Sequence, residues 1–229
     1  MSTNGQMSKD IFSPSQVWHH WLDHISFLTD VNPRYLRFLV GFGYYLGSPI
    51  EKDLWRVNRY REGSKEEKIS EDFERIIGDD CKFLLNEHDP KREDFSVPYQ
   101  RNGITHWLNT DVIRMQVDMS NIERFGLADF NNICEIGGGY GQLALGFLMN
   151  NPKVKYTIID FPQILSVVEI WMRHLSKGIL VKNYDNIESY LDESSAPGLH
   201  LLPNNLLAET DCILQFDLGL NINSFCEMS

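Results

Sequence analysis

The sequence predicts an α/β fold: a parallel sheet of about four strands, preceded by a helical N-terminal region. Three observations point there. Ile133 to Ile136 is an apolar strand that runs into a glycine-dense turn and then a helix. Beyond residue 126 short apolar runs alternate with helical stretches, the pattern of a parallel sheet with right-handed crossovers. Before residue 126 charge is dense and the apolar spacing is helical. The expected domains are a helical region over 1–125 and a ligand-binding sheet domain over 126–229.

Within 1–125, Ser13-Pro14-Ser15 starts a helix whose buried side carries Val17, Trp18, Trp21, Leu22 and Ile25. Asn32-Pro33 starts a second, with Tyr35, Leu36, Phe38 and Leu39. Residues 64–77 form a charged amphipathic stretch with one narrow apolar stripe, and residues 89–94 form a solvated loop. Thr110 to Phe125 reads as a further helix that ends near Gly126.

In 126–229 the first strand is 132–136 and the second 155–160. Phe161-Pro162 follows, then a long helix from Gln163 to about Ser176. Leu199 to Pro203 is the third strand. The fourth is either 212–216 or 218–222, and the second choice places Asp217 at the strand's start. A complete doubly wound sheet would need strands after Ser229. The expectation is therefore a truncated domain, a fragment or one completed by another chain. Its open edge would invite pairing, a homo-oligomer among the outcomes.

Composition narrows the partners. The 229 residues carry 42% hydrophobic side chains and a net charge of −11. A chain this acidic lacks the clustered cations that nucleic-acid backbones require. The greasy stretch from Leu36 to Leu46 is broken by Arg37, Gly41 and Gly43, too short to span a bilayer. Scattered cysteines and a polar N-terminus point to reduced thiols and a cytoplasmic protein, with no membrane partner. His20 and His24 have i, i+4 spacing with Asp23 adjacent but lack the Glu of the zincin motif, so no metal is expected.

The turn admits two phases. From Gly137 it is Glu-x-Gly-x-Gly-x-Gly, with Glu135 before it and Gly138, Gly139 and Gly141 within it. From Gly139 it is Gly-x-Gly-x-x-Ala, which formally satisfies a dinucleotide fingerprint. In either phase Asp160 stands at the end of the second strand, about 20 residues on, where a ribose-binding carboxylate belongs. The strand stops at Ile136, so Gly137 is the first turn glycine; the dinucleotide pattern would then need Gly or Ala where Gln142 stands. A carboxylate at Glu135 would also repel a pyrophosphate, at a cost on the order of kcal/mol. It suits a ligand with positive charge, such as S-adenosylmethionine. The plainer role for Glu135 is a paired structural carboxylate, and for Asp160 a turn residue.

Glu-Ile-Gly-Gly-Gly-Tyr-Gly, Ile-Ile-Asp-Phe-Pro before a long helix, and Asn223-Ser224-Phe225-Cys226-Glu227-Met228 together resemble the sugar O-methyltransferases. These are class I S-adenosylmethionine-dependent enzymes with a Rossmann-like sheet. The resemblance covers about 110–229. It implies that Glu135, Gly137, Gly138, Gly139 and Gly141 form the cofactor turn and that Asp160 holds the ribose. Phe161 would pack near the adenosine, with Pro203 and Asn204 near adenine. Asn223, Ser224 and Glu227 would lie by the methyl group, with Glu227 the candidate base; its plainer role is a helix N-terminal acid. The expected function is methyl transfer to a hydroxyl of a small-molecule or glycan acceptor. The alternatives are an NAD(P)-dependent oxidoreductase and a truncated, non-catalytic binding module.

Overall fold

The computed structural model describes residues 22, 25–30, 97–108, 110–126, 129–175, 178–193, 195–208, 210 and 213–222. The chain divides into two units: Met1–Asp30 with Phe130–Ser229, and Val31–Asp129. The helices expected from Asn32 and over 64–77 lie outside the described residues, as does most of 13–25. Of that last segment Leu22 and Ile25 are described, and both are buried.

In the second unit, β1 (Val97–Arg101) and β2 (Ile104–Leu108) form an antiparallel hairpin in a region expected to be helical. Its cause is the two-residue turn Asn102-Gly103, with φ of 52° and 76°. Asn-Gly tolerates this double left-handed geometry, whose twist matches that of paired strands. Gln100 donates from Nε2 to Thr105 Oγ1 across the register at 2.7 Å. Helix α1 (Thr110–Arg124) follows at its expected place, burying Met115, Met119 and Ile122 along one stripe.

The first unit contains an α/β sheet, Rossmann-like in general shape. Its elements are β3 (Asn132–Ile136), α2 (Gln142–Asn150), β4 (Lys155–Asp160), α3 (Pro162–Leu175), β5 (Val181–Asn183), α4 (Ile187–Glu193), β6 (Gly198–Pro203), α5 (Asn204–Leu207) and β7 (Leu218–Leu220). The five strands are all parallel, in the order β5-β6-β4-β3-β7. Four occupy the expected segments, with β7 at the favoured one of its two. The fifth, β5, was not foreseen.

The pleat divides the core in two. Ile133, Glu135, Tyr156 and Ile158 face α2 and α3, where the Phe147 and Tyr156 rings lie 5.5 Å apart. Helix α2 buries every residue from Leu143 to Leu148, as a helix apolar all round must. Cys134, Ile159 and Leu202 face the other way and pack with Tyr184, Ile187, Tyr190 and Leu206. A 3-10 turn over Ser26–Asp30 packs on α3.

Strand order matters for the site. From β3 the chain adds β4 on one side, lays β5 at that edge, inserts β6 between β5 and β4, and then crosses to place β7 on the other side of β3. The crevice between the carboxyl ends of β3 and β7 is thus a topological switch point, where open α/β sheets take their ligands.

Candidate functional site

The glycine turn sits at that crevice. Gly137 follows β3 directly, and its N–H donates to Ile159 O at 2.9 Å, tying the turn to the end of β4. Gly137, Gly139 and Gly141 have φ of 72°, 55° and 84°. A side chain at any of the three would strain the backbone. Gly138 is glycine for a different reason: a Cβ there would lie 2.8 Å from Ile158 Cγ2 and 3.0 Å from Glu135 Oε2. Gly141 is the N-cap of α2, with no side-chain capping bond. The four glycines therefore present bare backbone at the mouth of the sheet. The left-handed run starts at Gly137, the phase in which Glu135 stands two residues before the first glycine.

Glu135 lies beneath this turn and is 3% exposed. Its Oε2 accepts a hydrogen bond from Tyr156 OH at 2.9 Å. Register places Tyr156 opposite Ile133, so it is the diagonal neighbour of Glu135 on the same face. Burial raises the Tyr156 phenol well above the ordinary tyrosine range, and the Glu135 charge and its hydrogen bond raise it further. Tyr156 is thus a fixed donor. The fold itself supplies a hydrogen-bond donor to this buried carboxyl group, directly beneath the turn.

The other predicted cofactor residues stand along the same sheet edge. Asp160 ends β4, level with Pro203 at the end of β6. Its Oδ1 accepts from Phe161 N–H at 2.7 Å, which orients the carboxylate. Asn204 opens α5 immediately after β6. On the far side of the crevice Asn221 follows β7, and its Nδ2 donates to Ile136 O at 2.8 Å. Tyr156 and Asn221 are the two polar residues here that the sequence did not single out. Glu227, with Asn223 and Ser224, lies outside the described residues.

A cavity of about 690 Å³ opens on the face opposite Glu135. Cys134, Ile136, Ile159, Leu214 and Phe216 make its walls apolar, and Asn221 brings it up to the crevice. Such a volume is in the range of small-molecule pockets. Cys134 is a free, buried thiol; burial and then the adjoining Glu135 push it up to about 12, against a smaller opposing effect of Lys155. It is a packing residue rather than a nucleophile.

His200, in β6, is fully buried. Its Nε2 lies 2.8 Å from Ala196 O and its Nδ1 2.6 Å from Tyr184 OH. A carbonyl can only accept, so Nε2 carries the proton and Nδ1 accepts from the tyrosine. Both ring nitrogens are occupied in structure. Among the described residues there is no group of three metal-ligating side chains and no helix long and apolar enough to cross a membrane. No family model, curated protein or solved structure matches the chain.

Proposed function

We propose that the chain binds S-adenosylmethionine across the crevice between β3 and β7 and is a methyltransferase acting on a hydroxyl, the acceptor being a sugar or glycan. The observation that carries the cofactor assignment is the left-handed glycine run above a buried carboxylate at a topological switch point. Bare backbone admits the ligand's close approach, and Glu135 favours positive charge near the turn. Asp160 would accept from the ribose hydroxyls. Phe161, Asn204 and the upper, apolar part of the cavity would receive the adenine ring. The sugar acceptor rests on the resemblance of the motifs alone.

Bound there, the cofactor supplies an electrophilic methyl group on a sulfonium. The protein's task is then to align the acceptor oxygen with that carbon and take its proton, since in-line displacement gains most from positioning. Glu227 is the candidate for the proton.

The dinucleotide alternative draws on Gly139, Gly141, the fully buried Ala144 and Asp160. It is disfavoured by the start of the turn at Gly137 and by the carboxylate underneath. Titration calorimetry with S-adenosylhomocysteine and with NAD(H) separates the readings. Binding of the first and not the second is expected. The reverse would overturn the proposal in favour of an oxidoreductase, and binding of neither would leave a non-catalytic module.

A further inference from the structure

We infer that His200 and Tyr184 form an acid-sensitive latch on the β5–α4 border of the sheet. At neutral pH the tyrosine hydroxyl donates to the ring and pins the border. Protonation of the ring ends that donation and frees the border, while the ligand crevice stays formed. Neither residue lines the cavity beside the crevice, so the latch acts whatever the crevice holds.

Donor and acceptor roles carry it. The Nε2–H of His200 faces Ala196 O, so Nδ1 holds the ring's one lone pair and takes the Tyr184 proton at 2.6 Å. Both side chains are buried. A proton on Nδ1 removes that lone pair, and among the described residues the phenol has no second partner to which it could donate. It also creates a full charge in a closed site. Lys155 of β4 and Lys182 of β5 oppose that charge, and Glu193 of α4 favours it. Lys182 and Glu193 are already paired with each other at 2.7 Å, and Lys155 lies over the Tyr190 and Phe216 rings. Tyr190 of α4 meets the imidazole edge-on at 6.3 Å and shares a hydrogen bond with Thr157 of β4. Asp185, Glu188 and Asp192, the other acids of this border, are exposed. Burial is the largest influence keeping the ring neutral.

The border is the part of the sheet that yields to such a charge. β5 has three residues and pairs with β6 alone, and α4 has seven. Tyr184 follows β5 directly, and its own N–H reaches Leu201 O at 3.3 Å, a long bond. Short elements at an edge open locally at less cost than central ones. β3 and β4, which carry the glycine turn between them, lie beyond β6 and take no part. Tyr184, Ile187 and Tyr190 pack in one cluster with Cys134 and Ile159, both of which line the cavity. Opening the border therefore withdraws support from two cavity walls, so acid loosens the cavity from behind.

The test is hydrogen–deuterium exchange of the full chain read by mass spectrometry, as protection factors over 181–193 and 133–148 at pH 7.5 and 5.5. In wild type, protection over 181–193 should fall by about tenfold at the lower pH, the most that one histidine titrating near 6.5 in the opened border can supply. Protection over 133–148 should hold. His200→Gln carries no titrating ring and should show no fall in either segment. In Tyr184→Phe the neutral ring has lost its donor, so the fall should shrink to about threefold or less. Four results overturn the inference: no fall in wild type, a fall that persists in His200→Gln, an equal fall over 133–148, or an undiminished fall in Tyr184→Phe. Should one variant fail to fold, the other decides by the same comparison with wild type.

Discussion

Gly138→Ala tests the geometry of the turn most directly, because two known effects oppose each other there. Gly138 lacks the positive φ of its neighbours, so alanine meets no backbone strain. By itself that change would stabilise, by about 0.4–1 kcal/mol, through a less mobile unfolded chain. Against it stand contacts of 2.8 Å and 3.1 Å to Ile158 Cγ2 and Cδ1, and 3.0 Å to Glu135 Oε2. Ordinary carbon contacts are about 3.5–4.0 Å. Ile158 is β-branched and stiff at χ1, and Glu135 is held by Tyr156, so neither yields freely. Overpacking of this kind costs about 1–3 kcal/mol and should win, for a net loss of about 1 kcal/mol. In urea that is a midpoint shift of roughly 0.5 M at unchanged slope. Ile158→Ala removes both offending carbons, so in that background the alanine should cost much less, a coupling of about 1 kcal/mol. Gly139→Ala, whose strain comes from φ of 55°, should keep its penalty there. A neutral Gly138→Ala, or additivity with Ile158→Ala, would refute the account of a turn packed directly on β4.

Two further outcomes are expected. Burial holds the His200 imidazole below its ordinary value of 6.5; Lys155 and Lys182 add to this, while the bond to Ala196 O and Glu193 oppose it. A histidine with a depressed folded pKa contributes stability above the unfolded value and loses it as pH falls. Wild type should therefore lose thermal stability relative to His200→Gln between pH 7.5 and 5.5, roughly the window around an unfolded histidine; a constant difference would show that the ring is not held neutral. Asn221→Ala deletes the bond to Ile136 O and should destabilise the protein by about 1 kcal/mol while weakening S-adenosylhomocysteine binding. An unchanged urea midpoint would mean that the bridge between β3 and β7 carries no weight.

The parts legible in the sequence share one property: their signal is local. Strands β3, β4 and β6 are apolar runs bounded by turn residues, and α2 and α3 begin where glycine or proline stops a strand. β5 escaped because three residues, one of them Lys182, are too few for alternation to show. The hairpin had a local signal in Asn102-Gly103, but Gln100, Arg101, Thr105 and His106 obscured the strands around it. Glu135 was legible as a charge in a buried strand, while Tyr156 was not legible as its partner. That pairing needs the register of two strands, and no spacing along the chain reveals it. Asn221 lay further still from the backbone group it reaches, 85 positions along the chain.

That last separation bears on how the protein is made. β3 and β4 are joined by one short helix, so their half of the crevice can assemble from neighbouring chain as it emerges from the ribosome. The opposing wall waits for the whole intervening chain, because a long loop must close before β7 finds its place. Until then the glycine turn exists beside an unfinished groove. A small molecule that touches both walls would add its binding energy only to the completed sheet. It would act as a clasp on the last contact formed, and its loss would first be felt at β7.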